Sequence, residues 1–300
     1  MALPVYNGQA FLAEAISSCL AQDYDNFELI ITDNASTDST ERICREFGAL
    51  DGRVKYIRNE RNLGAGPNFN LGVKCSSGKY MKWCASDDRI SPNFISACVS
   101  VLEKNPDVVL AYGKTVTIDA QSRIIPLVGR GMTEQQVTDS VARRFHKDLY
   151  DRASNFEIFG VFRKSALEKS TLQRPYYGAD VTLVNELTLL GRFSFVPDAI
   201  FYNREHPDRS INIRDKNVLL AWQDTALGAR RKPRRENTER FRHLIEIAFR
   251  HRHRIPFFKI MGVIFIWTVR KTVDRLTLTF HQTKMLLASK TKLNGNLRRS

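Results

Sequence analysis

Hydrophobic positions in the first hundred residues switch between two spacings. Phe11, Leu12, Ala15, Ile16, Cys19 and Leu20 share one broad face at helical spacing, which predicts a helix over 11–22. Residues 27–32, Phe-Glu-Leu-Ile-Ile-Thr, are a short apolar run of the kind that forms a buried parallel strand. A helix over 36–47 follows, with Ser36 or Thr37 as its cap and Glu41 in its first turns. The pattern continues with a strand over 54–57, a helix over 67–75 and an aromatic strand over 80–84. A helix over 92–104 opens on Ser91-Pro92, and a strand over 108–112 closes the series. Strand and helix alternating at this pitch predict an open α/β sheet with right-handed crossovers.

The middle of the chain is less regular. It predicts a helix over 134–146, a strand over 156–162 and a helix over 181–190 with Leu183, Leu187 and Leu190 on one face. Two short strands, 193–196 and 200–203, precede a helix over 215–229. The run Arg230-Arg231-Lys232-Pro233-Arg234-Arg235 marks the clearest boundary. A helix over 235–254 follows it, with Phe241, Leu244, Ile245, Ala248 and Phe249 on one face, and Pro256 breaks it. Residues 257–269 are almost all apolar, and Val273, Leu276, Leu278 and Phe280 extend that character. The expected organisation is a body over 1–229, in halves of about 1–113 and 114–229, and a basic amphipathic helical tail over 230–300.

Charge sharpens that division. The 300 residues carry 46 Lys and Arg against 32 Asp and Glu, a formal +14. Residues 1–229 hold 27 basic and 28 acidic side chains, whereas residues 230–300 hold 19 and 4. The excess therefore describes the tail alone. Its apolar stretch contains Lys259, ends at Arg270 and Lys271, and is shorter than the ~20 residues that span a bilayer. Basic residues flanking a short apolar helix suit monotopic association with an anionic membrane surface. The tail carries no nucleic-acid readout motif, so nucleic acid is not expected as a partner. Met1-Ala2-Leu3-Pro4 lacks the basic and apolar regions of a signal peptide, which points to a cytoplasmic protein, peripheral at the inner face of the membrane. Five cysteines, none in a CxxC pair, argue against a disulfide scaffold or a structural zinc site.

In open α/β sheets ligands sit beyond the carboxyl ends of strands. The polar residues there are Asp33-Asn34, the segment 58–64, and Ser86-Asp87-Asp88. Four constellations combine in order: Pro4-Val5-Tyr6-Asn7-Gly8; Asp33-Asn34-Ala35-Ser36-Thr37-Asp38; Asn62-Leu63-Gly64 shortly before Asn70-Leu71-Gly72; and Ala85-Ser86-Asp87-Asp88. In this order and spacing they resemble the family 2 glycosyltransferases, which bind nucleotide sugars on the GT-A fold, a Rossmann-like mixed sheet flanked by helices. The resemblance covers about residues 3–210.

What the resemblance implies can be weighed against the chemistry of each group. Asp33 at a strand end can accept from a uracil-like N–H or from ribose hydroxyls, or it can cap the following helix. Pro4, Tyr6 and Asn7 would belong to the loop around base and ribose, with Asn62 and Gly64 beside the donor. Asp87 and Asp88 offer hard oxygen ligands to a divalent Mg or Mn ion that meets the diphosphate. The family's DxD motif has its first aspartate where this chain has Ala85, so Asp87 matches the second aspartate and one usual carboxylate is missing. Asp180, in Gly178-Ala179-Asp180, resembles the acceptor-site motif and would be the general base, although an aspartate before a helix is also an ordinary cap. Asp151, Glu157 and Glu186 compete less well. Arg204 and His206 resemble the late loop that closes over the diphosphate, Arg204 pairing with phosphate and His206 with phosphate or metal.

The implied reaction is inverting transfer of a sugar, with UDP-sugar the expected donor, to a hydroxyl of a glycan or lipid-linked glycan. A nucleotidyltransferase of the same fold would want a Gly-rich, Lys- or Arg-bearing signature near the N-terminus, which Pro4–Asp38 does not supply. A non-catalytic donor-binding homologue is the other alternative, given Ala85. Family members carry a longer apolar strand before the first motif than Met1-Ala2-Leu3, so an abbreviated first strand or an upstream start is expected.

Overall fold

The computed structural model describes residues 1–126, 140–151, 155–225, 236–273 and 277. Three parallel strands, β1 (Ala2–Val5), β2 (Leu29–Asp33) and β3 (Val54–Arg58), lie side by side in that order. Between them run α1 (Leu12–Leu20) and α2 (Thr40–Leu50), and α3 (Ala65–Cys75) follows β3. Every residue of β1 and β2 is buried, as expected of parallel strands covered on both faces. Leu3 and Val5 belong to one core cluster and Ala2 to the other, the two-residue alternation of a strand.

A second sheet contains β4 (Tyr80–Met81), β5 (Arg89–Ile90), β6 (Val108–Ile118), β7 (Val161–Arg163) and β8 (Arg192–Arg204), in the order β4-β7-β6-β8-β5. Only β6 and β8 pair in parallel, so this half is mixed. One residue joins the two sheets. The Ala2 N–H donates to the Lys82 carbonyl and the Cys84 N–H to the Ala2 carbonyl, each at 2.8 Å. The result is a single curled mixed sheet. Leu12 and Ile16 of α1, Ile43 of α2, and Phe94 and Cys98 of α4 (Phe94–Lys104) cover one side. Val73 of α3 and Leu183 and Leu187 of α7 (Ala179–Leu187) cover the other, around Trp83 and Phe162.

Three expectations change. Residues 156–162 are not one strand: Phe156–Phe159 is a 3-10 turn, and the chain straightens into β7 only after Gly160. The two short strands expected over 193–203 are one strand, β8. It stays paired with β6 because residues 197–199 loop out between the pairs Gly113↔Val196 and Lys114↔Ile200. Pro197, which has no N–H to donate, falls in that bulge. β6 in turn runs on to Ile118, well past the apolar run that announced it.

The chain divides into two compact units, Met1–His243 and Leu244–Ser300. The first also holds α5 (Val141–Asp151), α6 (Lys164–Leu167), α8 (Lys216–Gln223) and the start of α9 (Glu236–Arg250). The helix expected over 134–146 is described from Val141 onward. In the second unit a helix over 257–273, α10, follows α9. Ile260, Ile264 and Trp267 are buried, while Phe258, Phe265, Ile266, Val269 and Val273 are exposed. Among the described residues no helix is long and apolar enough to cross a membrane. The basic run 230–235 and the apolar positions Leu276, Leu278 and Phe280 lie outside the described residues.

Candidate active site

Strand register brings Val5, Asp33 and Arg58 side by side at the carboxyl edge of the parallel sheet. The loops that leave this edge are stitched together by side chains. The Asn7 N–H donates to Ser36 Oγ at 2.9 Å, and Asn7 Oδ1 accepts from the Thr37 N–H at 2.8 Å. The Gly8 N–H donates to Thr40 Oγ1, and the Gln9 N–H to Asp38 Oδ2. Asn7 takes a positive φ of 50° to turn the chain here, a conformation asparagine tolerates better than most residues. The first two motifs thus form one continuous rim, from which Tyr6 stays exposed.

Asp33 is fully buried beneath that rim. Its Oδ1 accepts from the Ser36 N–H at 2.9 Å, and its Oδ2 from the Tyr56 hydroxyl at 2.6 Å and from Arg58 Nη1 at 2.7 Å. Burial pushes the Tyr56 phenol up, and the hydrogen bond and charge of Asp33 push it further. Asp33 does not cap α2, which starts at Thr40 after Ser39 and not at the Ser36 or Thr37 cap expected; its carboxylate braces the turn at Ser36, and its outward contact is made through Tyr56 and Arg58. Pro4, one residue before the rim, sits in β1 opposite Thr32.

The Asn62-Leu63-Gly64 segment is held by Asn34. Asn34 Nδ2 donates to Asn62 Oδ1 at 2.8 Å and to the Gly64 carbonyl at 3.1 Å, and Asn34 Oδ1 accepts from the Leu63 N–H. Gly64 opens α3 at φ 91° and ψ 164°, a conformation open essentially to glycine alone. A Cβ there would also come within 2.5 Å of the Asp224 Cα. The end of α8 consequently lies against the start of α3, and Thr225 Oγ1 bonds the Asn62 carbonyl.

The acidic turn joins the rim through Ser86, whose Cβ lies 3.4 Å from where a Gly8 side chain would begin. Asp87 Oδ2 meets His206 Nε2 at 3.0 Å. His206 also packs against the Phe11 ring, centroids 4.8 Å apart. Its Nδ1 is buried with no hydrogen-bond partner among the described residues. Arg204 takes a different place from the phosphate contact expected of it. Its guanidinium is wholly buried and lies over Phe11 at 4.7 Å. It donates to the Asp87 carbonyl at 2.7 Å, Glu14 Oε2 at 2.6 Å, Ser122 Oγ at 2.9 Å and the Asp119 carbonyl at 3.1 Å. Its own N–H donates to Asp88 Oδ1 at 2.8 Å. Arg204 is thus a fastener of the acidic turn. Burial raises the Asp88 carboxyl well above its usual range, and the neighbouring charge of Asp87 adds to this.

A divalent ion fits this donor set in kind. Asp87 Oδ2 and His206 Nε2, which meet at 3.0 Å, are the atoms that would hold it. A cation would also offset the Asp87 charge that adds to the effect of burial on Asp88. Among the described residues no group of three or more acidic, His or Cys side chains is poised for a metal, so a bound ion would draw its other ligands from donor oxygens or water.

Asp180 lies in the first turn of α7, after Gly178 in a left-handed conformation at φ 83°. Its Oδ2 accepts from Asn155 Nδ2 at 2.5 Å. It caps no helix by side chain. Glu186, one competitor, is fully buried and accepts from the Thr171 N–H and hydroxyl. Glu157 is buried in the 3-10 turn. The side chain of Asp151 lies outside the described residues. Sequence reasoning missed Glu14, Ser122, Phe11 and Asn155. Nothing local signals them, because each meets its site partner across 25 to 195 residues of chain.

A curled mixed sheet with its polar edge at the strand ends and an acidic turn beside it defines a GT-A-fold glycosyltransferase domain. The model of the family described as glycosyl transferase family 2 matches residues 1–170, and the chain belongs to that family. It is 30% identical over 220 residues to an uncharacterized glycosyltransferase of Haemophilus influenzae, covering 69% of this chain and 65% of that protein. It is 28% identical over 183 residues to the GalNAc(5)-diNAcBac-PP-undecaprenol beta-1,3-glucosyltransferase of Campylobacter jejuni, covering 60% and 56%. The alignment with the Rickettsia prowazekii glycosyltransferase RP339 spans 34% of that protein's length, so the chain matches from a third to two thirds of these relatives. Among solved structures, S. aureus TarS in complex with UDP-GlcNAc superposes with a TM-score of 0.55 at 16% identity, covering 83% of this chain and 65% of that one. GalNAc-T7 with UDP, GalNAc and Mn2+ superposes at 0.53 and 16% identity, covering 68% and 43%.

Proposed function

We propose that this domain transfers a sugar from a UDP-sugar to a hydroxyl of a glycan or lipid-linked glycan, with inversion at the anomeric carbon. The observation that carries the reading is the Asp87–His206 pair, fastened by Arg204 beside the stitched rim at the carboxyl edge of the sheet. Tyr6 and Asn7 face the base and ribose. Asp33 acts there through Tyr56 and Arg58, and Asn62 and Gly64 shape the wall. Asp87 and His206, with Asp88 behind them, would hold a Mg or Mn ion. Such an ion neutralises charge on the departing diphosphate. Asp180, oriented by Asn155, takes the proton of the acceptor hydroxyl. The acceptor oxygen bonds to the anomeric carbon as the bond to the diphosphate breaks, and UDP leaves. The UDP-bound neighbours and the lipid-linked substrate in the Campylobacter relative's name support this class of donor and acceptor.

A panel of nucleotide sugars, assayed for transfer and hydrolysis with Mn or Mg, tests the reading. Asp180→Asn should abolish transfer and leave donor binding nearly intact. Wild-type turnover in that variant removes Asp180 from the base role, and turnover indifferent to chelator removes the metal. Ala85 favours a second reading, a donor-binding homologue without turnover, which tight UDP binding with no hydrolysis or transfer would establish. The basic tail and the exposed Phe258, Phe265, Ile266 and Val269 support residence on the anionic, cytoplasmic face of a membrane. Co-sedimentation of the full chain with anionic but not neutral vesicles tests that placement.

A further inference from the structure

Helix α9 begins within the Met1–His243 unit, and its His243 is buried there. Both ring nitrogens are engaged by residues that flank the Asp180 turn. Nε2 lies 2.6 Å from Thr171 Oγ1, and Nδ1 lies 2.8 Å from the Tyr176 hydroxyl. Thr171 in turn donates through both its N–H and its hydroxyl to Glu186 of α7, at 2.8 and 2.5 Å. The Tyr176 hydroxyl meets Thr182 Oγ1 of the same helix at 2.8 Å, and the Tyr176 ring stands edge-on to His243. The Tyr176 carbonyl accepts the Ala179 N–H that opens α7. The imidazole therefore ties together the two ends of the segment 171–178, and each tie runs on into α7. Gly178 is the left-handed joint between that segment and Asp180. Glycine imposes no conformation of its own at such a joint, so the chain before it must set the direction of α7.

We infer that His243 is a positioning residue for the catalytic base: by pinning Thr171 and Tyr176 it sets the direction from which Asp180 meets the acceptor. The inference rests on the reading of Asp180 as base. The sequence places His243 in a basic helix beyond the apparent end of the body, with no ligand spacing to any carboxylate. What distinguishes it is that Thr171, bonded to Glu186, meets one nitrogen and Tyr176, bonded to Thr182, meets the other. A buried polar cluster of this kind fixes one arrangement because every alternative leaves a polar atom unpaired.

The test uses the full chain in three forms: wild type, His243→Phe and His243→Gln. Phenylalanine keeps a ring against Tyr176 but removes both nitrogens. Glutamine keeps an amide N–H within reach of Thr171. Hydrogen exchange is followed over residues 171–182, and transfer kinetics are measured for donor and acceptor separately. In His243→Phe, exchange over 171–182 should rise at least tenfold. Transfer kcat should fall at least tenfold, with donor KM and UDP affinity within twofold of wild type. His243→Gln should recover part of both losses. Unchanged exchange over 171–182 in His243→Phe overturns the inference. So does a rise in donor KM as large as the fall in kcat, because that reports general damage. If His243→Phe does not fold, His243→Gln is judged by the same exchange and the same kinetic split. Should Asp180→Asn itself transfer normally, the base reading fails, while the exchange result still decides whether His243 pins the turn.

Discussion

Replacing Arg204 with methionine separates two roles for this side chain. A phosphate ligand could be lost with little effect on the ligand-free protein. A buried fastener could not. Methionine keeps the hydrocarbon stem and removes the guanidinium, with its contacts to the Asp87 carbonyl, Glu14, Ser122 and the Asp119 carbonyl. Taken one by one, charged hydrogen bonds contribute about 1.5–3 kcal/mol each, but they share one side chain and do not add. Truncating one partner of a buried ion pair costs about 3–5 kcal/mol in all. Glu14 keeps 36% of its side chain in water and retains Arg89 as a partner, so it loses less than a fully buried carboxylate would. The low end, about 3 kcal/mol, is the better figure. For a unit of this size each kcal/mol is about 2–4 °C in Tm, so the melting temperature should fall by about 6–12 °C. Thermal and urea unfolding of Arg204→Met without ligand measure it directly. A ligand-free stability within about 0.5 kcal/mol of wild type, the range of ordinary surface substitutions, would refute the fastener and return Arg204 to the donor.

Gly64→Ala should destabilise by about 3 kcal/mol, combining a backbone conformation closed to alanine with the overlap on Asp224; urea unfolding checks it, and a loss under about 1 kcal/mol would mean that α8 moves away freely. At Glu28 burial opposes ionisation, but Lys55 and the Ser77 N–H and hydroxyl outweigh it and hold the carboxyl down to about 2. Since that is below the unfolded value, the stabilisation is complete above about pH 4.5 and fades as pH falls toward 2. Glu28→Gln should therefore be less stable at neutral pH and lose stability less steeply between pH 4.5 and 2, read from unfolding midpoints across pH. Substituting serine for both Phe258 and Phe265 should weaken binding of the full chain to anionic vesicles at least tenfold and leave transfer to a soluble acceptor unchanged.

Much of the first half was legible because one residue type carried one message. The short apolar run of β2, the stripe of α1 and the polar residues past Asp33 follow from periodicity and from the chemistry of a sheet edge. Asp87 and His206 each read as donor-site residues through the resemblance, but their meeting at 3.0 Å does not follow from the sequence. What sequence could not carry were relations across distance. Arg204 reads as a phosphate contact because its segment resembles the late loop that closes over the diphosphate, yet Glu14, Ser122 and Asp119 converge on it from elsewhere in the fold. The run 156–162 has the composition of a strand, but Gly160 turns the chain so that only its end pairs with β6. β8 looked like two strands because a bulge at Pro197 interrupts the pattern without interrupting the pairing.

The seam at Ala2 bears on how the molecule assembles. The three-stranded half closes through neighbouring segments, with β1 and β2 some 28 residues apart. The five-stranded half must bring β6 to β8 across more than 80 residues, as in the pair Thr117↔Asn203. Closing a longer loop costs more chain entropy before any contact rewards it, and pairing of this kind is slow. His206 stands just beyond β8 and 119 residues from Asp87. The rim at the edge of the three-stranded sheet can thus form on a local scaffold, whereas the Asp87–His206 pair requires the long-range pairing of β6 with β8 to be in place. If that pair serves the proposed donor site, competence is expected late in folding, and a ligand that bridges Asp87 and His206 would act as a clasp on the long-range half.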